Sequence, residues 1–148
     1  MLNGAVTLGT LDGANVEIYE SVGDDNIVLF GLKTEEVDAL YAKGYKPWEY
    51  YNNSPKIKTV LDFIRTMTVG GMNFNFIVDY LLTQDHYMCL ADFDSYVAAQ
   101  ERIEKAYNDP TKWMKMSLAN IANSGIFSAD RSVEEYAKKI WNIKKVEG

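Results

Sequence analysis

The chain has 148 residues, which is enough for one ordinary domain with a sizeable core and too few for two full domains. Hydrophobic residues make up 47% of it and charged residues 24%, which is typical of a globular protein and excludes a disordered chain. The net charge of −6 argues against binding to nucleic acid or to an anionic membrane surface.

Cellular location is indicated by three features of the sequence. Cys89 is the only cysteine, which excludes an intrachain disulfide and favours a reducing compartment. No apolar run reaches the roughly 18 residues of a membrane helix, and the first residues lack the charged start of a signal peptide. We therefore predict a cytoplasmic protein. Because a strand pattern begins almost at Met1, the chain is expected to start inside a longer protein.

The first thirty residues alternate between strand and helix patterns. Residues 5–10 are β-branched and apolar on both faces, which predicts a buried strand. Asp12 precedes Gly13 in a turn and is the predicted N-cap of a helix that starts at Ala14. Residues 27–30 form a second apolar run that predicts another buried strand.

From residue 34 onward the periodicity is helical. Gly70 and Gly71 break the chain, and an extended segment is expected over residues 87–91. Caps and first-turn prolines predict the helix starts, which are Thr34, Pro47, Ser54 with Pro55, Phe74, Asp92 or Asp94, Asp109 with Pro110, and Ser132 with Glu135.

Two convincing strands among six or seven helices are too few for an independent parallel sheet. The pattern therefore predicts an α/β fold that is the helix-rich end of a larger protein, with an incomplete parallel sheet. An open sheet edge of this kind favours pairing with a partner or self-association.

Glycines around the first strand are the first candidates for a ligand site. Gly4, Gly9 and Gly13 flank that strand, where backbone N–H groups can approach a phosphate. Their spacing matches neither the Walker A motif nor the dinucleotide fingerprint. Structural packing is the favoured interpretation, and phosphate binding remains the alternative.

The remaining polar candidates also have simpler structural interpretations. His86 is the only histidine, which excludes a His-rich metal site and favours a surface or capping role beside Asp85. Cys89 lies in an apolar stretch and is predicted to be a buried structural thiol. Asp92 and Asp94 fit helix capping better than paired acid and base catalysis.

An aromatic cluster is the last candidate. Trp48, Tyr50 and Tyr51 could stack against a sugar ring, although such a cluster is more often part of a core or an interface. The motifs alone therefore assign no catalytic, cofactor-binding or metal-binding residue.

Two segments carry a specific family resemblance. The run Leu2-Asn3-Gly4-Ala5 and residues 9–17, GTLDGANVE, resemble the glycogen, starch and maltodextrin phosphorylases. Further matching blocks keep the order and spacing of that family over nearly the whole chain, namely residues 26–31, 44–45, 49–51, 91–96, 100–102, 120–122, 127–128 and 130–131. The stretch from residue 68 to residue 73 is more compact than in some members.

The resemblance implies a two-domain glycosyltransferase fold of the GT-B type, with two Rossmann-like domains facing across a cleft. Residues 1–148 would be the C-terminal part of the domain that binds pyridoxal phosphate, with the final strands and a short helix in residues 1–31 and a mainly helical part in residues 32–148. The signature around the pyridoxal lysine ends in a pattern that Leu2 and Asn3 match, so this lysine is expected just upstream of Met1.

No lysine of this chain stands in that signature position, including Lys33, Lys43 and Lys46. The resemblance therefore implies no catalytic residue, no bound pyridoxal phosphate and no metal in the chain itself. The parent would release glucose 1-phosphate from an α-1,4-glucan by phosphorolysis, and we expect the isolated chain to be inactive. A stand-alone helical interaction module and a fragment of a nucleotide-sugar glycosyltransferase remain alternatives.

Overall fold

The computed structural model describes residues 1–143 as a helix-rich α/β chain. The strands are β1 (Leu8–Gly9), β2 (Val28–Leu29), β3 (Thr68–Val69) and β4 (Met72–Asn73). The helices are α1 (Ala14–Val22), α2 (Thr34–Ala42), α3 (Pro47–Asn53), α4 (Pro55–Thr66), α5 (Asn75–Thr83), α6 (Cys89–Tyr107), α7 (Pro110–Ala122) and α8 (Ala129–Tyr136). Short 3₁₀ turns lie at Asp24–Asn26 and Ser124–Phe127, and a π turn at Ala137–Trp141 continues α8.

Strands β1 and β2 form a two-stranded sheet. The backbone N–H of Val28 donates to the carbonyl of Thr7 at 2.9 Å, and the N–H of Phe30 donates to the carbonyl of Gly9 at 3.1 Å. Both partners advance by two residues in the same direction, so the strands are parallel. Both predicted strands are present, although each is shorter than the apolar run that predicts it. The predicted burial of the first strand is wrong, because both residues of β1 are only partly buried, whereas Val28 of β2 is buried.

The chain divides into two compact units. The central unit comprises Leu8–Asp12 and Leu29–Glu104. Its core is built where α4, α5 and the start of α6 bring together Ile57, Leu61, Val78 and Leu90, each at most 4% exposed. Helical spacing of the apolar residues in α4 places Ile57 and Leu61 on one buried face.

The terminal unit comprises Met1–Thr7, Gly13–Val28 and the described residues from Lys105 onward. Ile27 and Val28 are completely buried there. Asn120 of α7 is also buried, and its side-chain amide donates to the carbonyls of Asn26 at 2.8 Å and Met116 at 3.0 Å. The Asn120 side chain therefore links α7 by a hydrogen bond to the segment that leads into β2.

Several helix starts follow from local sequence, and the structure confirms them. Pro47, Pro55 and Pro110 each occupy the first turn of a helix, where the missing N–H costs no hydrogen bond. The Ser54 hydroxyl accepts from the N–H of Ile57 at 3.3 Å. The Asp109 carboxylate accepts from the first-turn N–H groups of Thr111 and Lys112, both at 3.1 Å.

The predicted N-caps Thr34 and Ser132 are wrong. Thr34 is already inside α2, whose N-cap is Lys33, and the Glu36 carboxylate accepts from the Lys33 N–H at 2.8 Å. Ser132 lies inside α8, whose N-cap is Ser128. Glu135 instead pairs with the cations one turn away on either side of it. In both cases the N-cap lies earlier in the sequence than the predicted one.

The predicted extension over residues 87–91 is also wrong, because Met88 has a positive φ of 54° and α6 begins at Cys89. The break at Gly70 and Gly71 is the turn of a hairpin in which β3 and β4 pair antiparallel. Both glycines have positive φ, 58° and 81°, which a two-residue type I′ turn requires.

Candidate functional site

The central unit contains a cavity of about 520 Å³ beyond the carboxyl ends of β1 and β2. Ligands in open parallel sheets bind at this end of the strands, which makes it the leading candidate site. We call it the strand-end cavity, and its walls are Thr10, Asp12, Phe30, Leu32, Val37, Tyr87, Cys89, Asp92, Phe93 and Tyr96.

Gly31 brings the end of β2 against α6. Its φ of 86° lies in the left-handed region, and its N–H donates to the Ser95 hydroxyl at 3.0 Å. A Cβ atom here would lie 2.7 Å from Oδ2 of Asp92 and 3.0 Å from Cγ2 of Thr10. Only glycine therefore permits this close approach beside the cavity.

Asp92 is a half-buried carboxylate in the cavity wall. Its Oδ1 accepts a hydrogen bond from the Leu32 N–H at 2.8 Å, so it orders the chain that leaves β2. Burial raises the pKa of this carboxyl, and the Leu32 N–H partly offsets the rise. Asp92 and the exposed Asp94 both lie inside α6, so their predicted role as N-caps is wrong.

Asp12 is the second carboxylate of the wall, and its predicted capping role is also wrong. The N-cap of α1 is Gly13, with φ of 47° and no side-chain hydrogen bond. Oδ2 of Asp12 instead accepts from the Thr10 hydroxyl at 2.9 Å. The carboxylate is exposed, and it remains available at the mouth of the cavity.

Aromatic side chains form much of the remaining wall. The rings of Phe30 and Tyr96 meet edge to face, with centroids 5.1 Å apart. Tyr87 stands at the rim and is 82% exposed. Among the described residues of the walls there is no lysine, arginine or histidine, so the two carboxylates are the only ionic groups among these residues at neutral pH.

Cys89 is exposed, and the predicted burial of this thiol is wrong. Cys89 is one of the residues that line the cavity. Partial desolvation and the nearby Asp85 carboxylate raise the pKa of the thiol, which disfavours the reactive thiolate. The geometry therefore gives Cys89 no feature of a catalytic nucleophile.

Asp85 has a structural role that the sequence analysis did not predict. The side chain is completely buried and accepts three hydrogen bonds, from the N–H groups of Cys89 and Leu90 at 2.9 Å and from the Tyr45 hydroxyl at 2.6 Å. It therefore caps α6 and fixes the start of the helix that carries the cavity wall. His86 next to it is exposed, and its carbonyl accepts from the Tyr41 hydroxyl at 2.9 Å.

The other sequence candidates lie outside the cavity. Gly4 packs against α7, where a Cβ would lie 3.2 Å from Ser117 and 3.3 Å from Ile121, in agreement with the favoured packing role. Tyr50 and Tyr51 pack against the core of the central unit, whereas Trp48 is half exposed.

Comparison with known proteins gives a consistent result. The family model for carbohydrate phosphorylases matches residues 1–143. The chain belongs to this family. A glycogen phosphorylase of Synechocystis sp. is 48% identical over 98% of this chain and 17% of its own length. The brain form from Ovis aries is 44% identical over 97% of the chain and 17% of its own length.

A third relative, the glycogen phosphorylase of Haemophilus influenzae, is 42% identical over 99% of the chain and 18% of its own length. This phosphorylase-family chain thus spans less than a fifth of the length of these relatives. Among the described helices, none is both long and apolar enough to span a membrane. Within residues 1–143, no group of His, Cys, Asp or Glu has the arrangement of a metal site.

Proposed function

We propose that the chain is the C-terminal part of an α-1,4-glucan phosphorylase, which releases glucose 1-phosphate from glycogen, starch or maltodextrin. The observation that carries this proposal is the match to glycogen phosphorylases at 42–48% identity over nearly the whole chain but only 17–18% of each relative. The chain on its own supplies scaffold, and we expect it to be inactive.

The proposed architecture is the second Rossmann-like domain of a GT-B fold. Residues 1–31 would supply its last strands and residues 32–148 its helical part. A two-stranded parallel sheet is consistent with this proposal, since parallel strands need further neighbours on their open edges. The upstream part of the protein would supply those strands, and the complete enzyme would be cytoplasmic.

Exposed apolar side chains support the need for an upstream partner. In the terminal unit, Leu2 is 77% exposed and Leu118 and Ile140 are each 65% exposed. Large apolar groups at such exposure are typical of surfaces that another part of a protein covers. Without that partner, we expect the isolated chain to self-associate through these surfaces.

The complete enzyme would use pyridoxal phosphate, and the strand-end cavity does not fit this cofactor. A site for it needs a lysine amine for the aldehyde and cations or N–H donors for the phosphate. In the part of the chain that the structure describes, the cavity walls carry two carboxylates and no lysine or arginine, so they would repel a phosphate. We therefore assign the cofactor to residues upstream of Met1 and derive no step through it here.

The test is a chimera with the Synechocystis glycogen phosphorylase. The 148 residues replace the matching part of that relative, and glucose 1-phosphate release from maltodextrin is measured beside the isolated chain. We expect phosphorolysis by the chimera and none by the isolated chain. Measurable turnover by the isolated chain, or a folded chimera without activity, would contradict the proposal.

Two matched variants of the chimera test whether the close packing at Gly31 is needed in the complete enzyme. The Cβ of Gly31→Val would lie against Asp92 and Thr10, whereas the Cβ of Gly44→Val would have no neighbour within 4 Å, and both glycines have φ above 80°. We expect Gly31→Val to lose much more activity and soluble yield than Gly44→Val. Equal effects would mean that the packing between β2 and α6 is not needed in the complete enzyme.

A further inference from the structure

We propose that the strand-end cavity is a carbohydrate-binding subsite that takes glucosyl units of an α-glucan. The cofactor and the phosphate would bind elsewhere. A neutral ring compound with several hydroxyl groups is the chemistry that the walls themselves favour. The choice of glucose as the sugar rests on the proposed function.

The size of the cavity points to a ligand larger than a single ionic head group. Its volume of about 520 Å³ lies within the roughly 300–1,000 Å³ that small-molecule sites occupy. A lysine or guanidinium head group would fill only a small part of that space. A ring compound of one or two sugar units matches it better.

Two carboxylates supply the acceptors that sugar hydroxyls need. Oδ1 of Asp92 binds the Leu32 N–H, and Oδ2 of Asp12 binds the Thr10 hydroxyl. Each of these bonds uses one acceptor position of its carboxylate. Because an ionised carboxylate has about four acceptor positions, each retains capacity for ligand hydroxyls.

The aromatic wall supplies the complementary apolar surface. A pyranose ring has hydroxyl groups around its edge and C–H groups on its faces, and these faces pack well on flat rings. Tyr87, Tyr96 and Phe93 line the cavity beside Asp92, and Tyr87 at the rim is 82% exposed. Its ring is thus free to contact a ligand without displacing core side chains.

The charge of the walls excludes anionic ligands. Within residues 1–143, no lysine, arginine or histidine lines the cavity, and both ionic groups are acidic. A phosphate would meet repulsion from Asp12 and Asp92 with no cation to offset it. The site is therefore predicted to bind neutral glucan and to reject glucose 1-phosphate.

Cys89 provides a local reporter, since it is the only cysteine and lines the cavity. The experiment measures its alkylation by iodoacetamide at pH 8.5 with increasing maltotriose. The sample is the 148-residue chain, and the titration is repeated on the chimera. At ten times the dissociation constant, a bound sugar should slow alkylation about tenfold.

Variants then test whether the protection of Cys89 depends on the carboxylates of the cavity walls. Asp12→Ala and Asp92→Ala each remove one acceptor, and each should raise the maltotriose concentration for half-protection about tenfold. Asp94→Ala is the matched control, because Asp94 lies on the same helix as Asp92 but lines a different depression. We expect Asp94→Ala to behave as the wild type does.

Two competing ligands complete the test. Glucose 1-phosphate and tetramethylammonium chloride replace maltotriose at the same concentrations, and neither should protect Cys89. Absence of protection by maltotriose in both samples would overturn the proposal, and so would protection by tetramethylammonium alone. Protection together with an inactive chimera would support the subsite and refute the proposed phosphorylase activity, so the two failures are distinguishable.

Discussion

Replacing Tyr45 with phenylalanine should destabilise the chain more than the same change at Tyr41. The Tyr45 hydroxyl donates to Oδ2 of the buried Asp85 at 2.6 Å. The Tyr41 hydroxyl donates to the carbonyl of His86 at 2.9 Å in an exposed setting. The two substitutions remove the same atom from neighbouring tyrosines, so they differ mainly in the acceptor that loses its donor.

The magnitude follows from the charge and burial of that acceptor. Asp85 is 0% exposed and has two backbone donors besides the hydroxyl. A hydrogen bond to a buried charged group contributes about 1.5–3 kcal/mol, so Tyr45→Phe should lower the free energy of unfolding by about 2 kcal/mol. Tyr41→Phe should cost about 0.5 kcal/mol, because water can replace the lost donor.

Urea unfolding followed by tryptophan fluorescence measures both values. The dependence of the unfolding free energy on urea should be unchanged, so that only the midpoint moves. Equal losses for the two variants, or a loss for Tyr45→Phe below about 0.5 kcal/mol, would refute the role of Asp85 as a buried cap that needs the hydroxyl.

The pH dependence supplies a second check. Burial and the hydrogen bond to Asp85 raise the pKa of the Tyr45 hydroxyl above that of an unfolded tyrosine. A group with a raised folded pKa stabilises the protein below its unfolded pKa and loses this contribution as the pH rises through the folded value. The difference between wild type and Tyr45→Phe should therefore persist at pH 9, below the tyrosine pKa of about 10.

Three further predictions concern single positions. Gly31→Ala should lower the unfolding free energy by about 3 kcal/mol and Gly44→Ala by about 1 kcal/mol. Both glycines have positive φ, but of the two only Gly31 lacks space for a Cβ atom. Equal losses in urea unfolding would contradict this prediction. Asp109→Ala should cost about 1 kcal/mol through loss of the α7 cap, and no loss would show that water replaces it. Burial raises the pKa of the Asp92 carboxyl, so wild type should gain stability relative to Asp92→Asn as the pH falls from 7 to 4, and a loss would contradict the sign.

Local chemistry made much of the helical architecture predictable. A proline at the start of α3, α4 and α7 marks each boundary, and Ser54 and Asp109 cap two of these helices through their own neighbours. The parallel strands were recognisable because burial on both faces leaves continuous apolar runs such as residues 27–30. These signals act over a few residues, which a sequence displays directly.

The candidate site could not be predicted in the same way. Its walls come from three segments far apart in sequence, residues 10–12, 30–37 and 87–96. Asp12 and Asp92 resemble helix caps in sequence, but tertiary contacts place both at the cavity. Asp85 also accepts a hydrogen bond from Tyr45, 40 residues earlier, which the local sequence does not reveal.

The most direct test of the account is the location of the pyridoxal phosphate lysine. The isolated chain and the chimera are each incubated with pyridoxal phosphate, reduced with borohydride and mapped by mass spectrometry. The account predicts no stoichiometric adduct on the isolated chain and a single adduct on the chimera, upstream of the 148 residues. A stoichiometric adduct on any lysine of this chain, accompanied by release of glucose 1-phosphate, would contradict it.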